Sequence, residues 1–147
     1  MDLSTVLSSV VVAGVVAGLI TLRTSARKIA IENITQQRQL WRETIRTKAL
    51  DVIHTYVRKN TVRLRELYVE FQLILNPGDN DDKSILDSIW DMALEKENKN
   101  LPIELSEKLA LLLKHDWERT KKEAKPVFLR WGKPKRTAYS EFKNKRN

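Results

Sequence analysis

The chain has 147 residues, a formal net charge of +8 at neutral pH and no cysteine. Such a length allows one small domain beside an apolar anchor, and the missing thiols exclude a disulfide framework and a thiolate metal site. No glycine-rich phosphate loop, nucleophile elbow or HExxH pair occurs in it, so neither a cofactor nor an enzymatic activity is expected.

The first element is Leu3 to Leu22, LSTVLSSVVVAGVVAGLITL, which carries no charged side chain. As a helix it is roughly 30 Å long, the thickness of a bilayer's hydrocarbon layer, and a lone backbone in lipid must satisfy its own hydrogen bonds. Residues 1–23 are therefore expected to be a transmembrane anchor. Arg23, Arg27 and Lys28 follow it while only Met1 and Asp2 precede it. That asymmetry predicts a single-pass protein of the cell membrane with its N-terminus outside and its body cytoplasmic. A cleaved signal peptide is the rival, but it needs a basic segment ahead of the apolar one. A buried helix of a soluble protein is the other alternative, because many Val and Ser residues dilute the hydrophobicity.

Within this element Gly14 and Gly18 form a GxxxG, and Ala13 and Ala17 extend the row of small residues. Small faces let two helices approach closely in lipid, which predicts self-association and a homo-oligomer. Small residues are also simply common in such helices.

From Thr24 to Leu75 there is neither Pro nor Gly, and apolar residues recur at helical spacing: Ile34, Trp41, Ile45, Ala49, Val52 and Tyr56, then Leu64, Leu67, Phe71 and Ile74. The run predicts one long juxtamembrane helix, or two joined near Asn33 or Asn60. Its apolar stripe is longer than the helices that follow can cover, which calls for a second protein or for the membrane surface. Asn76-Pro77-Gly78 stops this helix, and Asp82 or Ser84 is expected to cap the next. Asp79, Asp81 and Asp82 resemble a piece of a calcium loop, but the glycine and glutamate that such a loop requires are replaced by Ser84 and Trp90.

A second helix is expected from Ser84 to about Lys96, with Ile85, Ile89 and Ala93 in line and Leu86 and Trp90 beside them. After the linker Glu97–Asn100, a third begins near Pro102 and presents Leu105, Leu109, Leu112, Leu113 and Trp117. Residues 24–125 thus make a helical bundle or coiled coil. Val127–Trp131 is a short apolar cluster. Residues 126–147 make a basic tail that is expected to be disordered. From Lys121 onward there are ten Lys and Arg against Glu123 and Glu141, so the entire net charge belongs to this end. The fold expected is mainly α: an N-terminal transmembrane helix, a long juxtamembrane helix and two shorter helices in an antiparallel bundle.

Arg38-Gln-Leu-Trp41 with Arg46, then Leu75-Asn76-Pro77 with Asp79 to Asp82, then Trp117-Glu118-Arg119 with Lys121, Lys122 and Glu123, occur in that order. In these landmarks the chain resembles a loose group of small, mostly uncharacterised single-span membrane proteins of bacteria and their phages. The resemblance covers residues 5 to 125, implies an anchor carrying a helical body, and adds no biochemical activity.

Arg38, Arg42 and Arg46 form a stripe with Trp41 beside it, suited to anionic headgroups or to a carboxylate partner. The alternative makes Trp41 a core residue and pairs the arginines with Asp87, Asp91, Glu95 and Glu97. His54 and His115 have no second ligand at helical spacing, which points to structural or solvated imidazoles. Lys133, Lys135 and Arg136 in the tail suit anionic lipid, nucleic acid more weakly, or plain solvation. Function is read as that of a non-enzymatic membrane-anchored interaction or scaffold protein. The alternatives are a membrane-perturbing effector of phage lysis or host defence, and tethering of nucleic acid or anionic lipid through the tail.

Overall fold

The computed structural model describes residues 3–96, 98, 100–125, 132 and 134–145, with the side chains of 3–11, 30 and 124 outside the description. Among these residues the fold is mainly helical. Helices α1 (Leu3–Val57), α2 (Thr61–Ile74), α3 (Asn80–Ala93), α4 (Leu101–Ala124) and α5 (Tyr139–Asn144) follow in order. The chain divides into two compact units, Met1–Leu40 and Trp41–Asn147.

In the first unit, α1 has no break at Asn33, so the predicted apolar stretch and the juxtamembrane helix are one element. Its described apolar side chains Val12, Val15, Val16, Leu19, Ile20 and Leu22 are 50–69% exposed. No helix is long and apolar enough to cross a membrane among the described residues. Nine of the uncharged run's side chains, 3–11, lie outside them.

In the second unit the periodicity predicted the helices and their buried faces well. Ile45 and Val52 of α1, Leu64, Leu67 and Phe71 of α2, Ile85, Ile89 and Met92 of α3, and Leu105, Leu109 and Leu112 of α4 form one buried core. Trp41, Ala49 and Tyr56 pack against it, completing the α1 stripe. Directions follow from the side chains that meet. Trp41 Nε1 donates to the Ile74 carbonyl at 3.2 Å and Arg63 Nη2 to Asp51 Oδ2 at 2.8 Å, so α2 returns along α1. Tyr68 of α2 meets Trp90 of α3 with ring centroids 5.0 Å apart, and Lys108 Nζ of α4 reaches Ser88 Oγ of α3 at 2.7 Å, so α3 packs between α2 and α4. The unit is a helical bundle.

The turns explain the boundaries. The long run breaks at Lys59, whose φ of +55° leaves the helical region, and Asn60 caps α2 by accepting from the Arg63 N–H at 3.0 Å. Asp79, rather than Asp82 or Ser84, caps α3: its Oδ1 accepts from the Asp81 and Asp82 N–H groups at 2.8 and 3.2 Å. That satisfies two orphan donors and starts the helix at Asn80, four residues earlier than expected. Pro102 lies in the first turn of α4 as predicted, where its missing N–H costs nothing. The expected apolar cluster Val127–Trp131 and the stop at Pro126 lie outside the described residues.

Two tryptophans leave the predicted core. Trp90 is 40% and Trp117 is 50% exposed, each lying across the bundle surface. The tail also departs from expectation, because Tyr139–Asn144 is a helix and the segment before it is bound to the bundle.

Candidate interaction sites

Gly14 and Gly18 stand on the exposed part of α1, with Ala13 and Ala17 also exposed. A methyl group added at either glycine would meet nothing within 4 Å. Among the described residues nothing is placed against either glycine. Arg38 lies further along α1 in the same unit.

Trp41 and Arg42 open the bundle. Trp41 is a core residue with its indole N–H satisfied by the Ile74 carbonyl. Arg42 donates from Nε to Asp116 Oδ2 at 2.7 Å and from Nη2 to Thr120 Oγ1 at 3.0 Å. Its guanidinium also lies 5.5 Å from the centre of the Trp117 ring, with Lys121 Nζ at 5.2 Å from that ring. The Arg42 and Asp116 side chains are only 11% and 15% exposed. Arg42 is thus turned inward, away from the headgroup role. It pairs with α4 rather than with the acids of α3 that the alternative named. Arg46 pairs with Glu43, three residues before it on the same helix, at 2.5 Å, both side chains more than half exposed.

These contacts bring together parts of all three landmarks. Trp41 joins Ile74 beside Leu75-Asn76-Pro77, and Arg42 joins Asp116 and Trp117. Compared with known protein families, curated proteins and solved structures, the chain matches none. Trp41, Ile74 and Trp117 meet through these contacts within the bundle.

At the head of α3, Arg136 enters from the tail. Its Nη1 meets Asp82 Oδ1 and lies 3.3 Å from Asp79 Oδ1, and its Nε is 3.7 Å from Asp81 Oδ2. The side chains of Arg136 and Asp82 are 9% and 7% exposed. Asp82 also accepts the Asn76 N–H at 2.9 Å. Arg136 is therefore not displayed for lipid, as the tail's composition suggested, but held by three aspartates. Lys135 is exposed and Lys133 lies outside the described residues. The predicted acidic turn is a helix cap that doubles as a guanidinium site. Among the described residues no group of His, Cys, Asp or Glu is placed to hold a metal ion.

The surroundings of Arg63 and Lys108 were not singled out by the sequence. Arg63 joins Asp51, Glu66 and Glu70, and Glu70 also takes Lys48. The hydrogen bond from Arg63 holds the Asp51 carboxyl below its usual range, and the one from Lys48, helped by Arg63, does the same to Glu70. Lys108 is half-buried between Ser84, Ser88 and the Tyr139 ring, and burial pushes its ammonium pKa down. Alternating charges at i, i+3 and i+7 on α2, Arg63-Glu66-Glu70, were the available sign of the first network. His54 is exposed, and His115 Nε2 lies 3.1 Å from the Pro134 carbonyl.

At the opposite end of the bundle a groove of about 430 Å³ opens beside Tyr56, Leu64 and Met92, with Lys59, Glu95 and Lys96 in its wall.

Proposed function

We propose that this chain is a non-enzymatic, membrane-anchored helical interaction protein that self-associates through its N-terminal helix. The observation that carries the reading is the apolar surface of α1: every described large apolar side chain from Val12 to Leu22 is at least half exposed. Exposing that many adjacent Val, Leu and Ile side chains to water costs on the order of 1.5–3 kcal/mol apiece relative to burying them. Lipid or another copy of the helix removes the cost. The bases at Arg23, Arg27 and Lys28 favour a single-pass arrangement with the bundle on the cytoplasmic side. The bundle's tight ion pairs and filled core suit a docking body better than a reaction site.

An alkaline carbonate wash of membranes from cells expressing the full chain tests the anchor. The protein is expected in the pellet, and its release into the supernatant overturns the reading. Growth arrest with loss of membrane potential on expression would replace the scaffold by a membrane-perturbing effector.

A further inference from the structure

We propose that residues 134–145 form an electrostatic strap, closed on the aspartates at the head of α3 and opened by an anionic lipid surface that competes for its cations. This rests on the membrane-anchored reading above.

Polar contacts fasten the strap at three places among the described residues. Arg136 occupies the Asp79, Asp81 and Asp82 site, the Tyr139 hydroxyl donates to Glu107 Oε2 at 3.0 Å, and Lys143 lies 3.5 Å from Glu104. The Tyr139 ring covers the Lys108 ammonium at 5.2 Å. No residue of α5 is buried, whereas each of α1 to α4 contributes to the apolar core. An element held by charges rather than by apolar burial opens at lower cost than the bundle beneath it and is weakened by salt.

The closed state also carries an unmet demand. The Arg136 side chain is only 9% exposed, yet its Nε has no hydrogen-bond acceptor among the described residues, with Asp81 Oδ2 3.7 Å from it. A buried donor without an acceptor forfeits hydration that it recovers on release. Phosphate oxygens offer this guanidinium the same charge as the aspartates and can satisfy Nε as well.

Lipid gains its first hold on cations that stay outward while the strap is shut. Lys135 is exposed, and the Lys143 and Lys145 side chains are 56% and 74% exposed. Each basic residue held at an anionic surface strengthens binding about five-fold, so Arg136 joining these three lysines shifts the balance towards the open form. By reciprocity, weakening the aspartate site must raise the tail's preference for the membrane by the same factor.

The chain has no cysteine, so Ser106→Cys on α4 with Ser140→Cys on α5, both exposed, gives a spin-label pair that reports the strap by dipolar distance. The full chain is reconstituted in phosphatidylcholine vesicles and in vesicles that also contain phosphatidylserine. A single short distance is expected in the first, and a longer, broader one in the second, with the open-to-closed ratio rising about five-fold as Arg136 joins the lipid contact. Asp82→Asn should open the strap in neutral vesicles. Lys143→Gln with Lys145→Gln should reduce the response to phosphatidylserine without touching the aspartate site. Equal distances in both vesicles overturn the proposal, as does opening by a single-stranded oligonucleotide at matched phosphate but not by lipid. Flotation separates the anchor from the strap. Chain that floats with neither vesicle refutes the anchor, and the same label pair, read with the anionic vesicles added to it, still decides the strap.

Discussion

Arg42 donates from Nε to Asp116 Oδ2 at 2.7 Å, joining the first and fourth helices of the bundle across 74 positions of sequence. The pair is largely shielded from water, so its value lies in mutual compensation: neither charge is tolerable there alone. Arg42→Ala is expected to destabilise the bundle by about 3 kcal/mol, chiefly by stranding the Asp116 carboxylate. Arg42→Met combined with Asp116→Leu should recover most of that loss, since two apolar side chains leave no charge unpaired. Urea unfolding of the full chain in detergent, followed by helical circular dichroism, measures both. A single variant within about 0.5 kcal/mol of wild type would show that the pair is solvated.

The network on the other side of α1 responds to acid. Asp51 and Glu70 both titrate below their ordinary values of 3.8 and 4.5, because Arg63 and Lys48 bond the ionised forms. A carboxylate whose folded pKa is depressed lends stability that is complete above the unfolded value and is lost as pH falls through the folded one. The bundle should therefore lose thermal stability from about pH 4.5 downward, the ordinary value of Glu70. Asp51→Asn with Glu70→Gln should be less stable at neutral pH and flatter across that acid range. Both carboxylates are partly solvated, so the difference at neutral pH should be modest. Parallel melting-temperature curves for the two proteins from pH 6 to 3 would contradict the assignment.

The core of the bundle was legible because Trp41, Ile45, Ala49, Val52 and Tyr56 repeat at the helical period, and burial of one face is what that period encodes. The head of α3 was not. Asp79, Asn80, Asp81, Asp82 and Ser84 supply several plausible caps, and only backbone geometry selects Asp79. The partner of Arg42 was misassigned for a related reason. Asp87, Asp91 and Asp116 are equally acidic in one dimension, and the packing of α4 against α1 decides among them. Composition made the tail read as disordered, yet Arg136 is fixed by acids 54 to 57 positions away. The sign that was available was charge complementarity between three clustered aspartates and the segment that carries the chain's excess of bases.

The row of small residues on α1 gives the most direct test of self-association. Among the described residues nothing lies within 4 Å of a Cβ built at Gly14 or Gly18, so a side chain begun there meets no neighbour within its own unit. Any effect of Gly14→Ile with Gly18→Ile must therefore come from what lies against the helix, apart from the small gain in helix propensity over glycine. With Ala17→Cys as the sole thiol, oxidation of isolated membranes should yield a disulfide-linked dimer, since paired GxxxG faces bring backbones close enough for the bridge. The double isoleucine variant should reduce that dimer several-fold while leaving carbonate resistance intact, because two β-branched side chains prevent close approach yet make the helix more apolar. Undiminished crosslinking would mean that the helices meet on another face or not at all. Loss of carbonate resistance would mean that the glycines act in insertion.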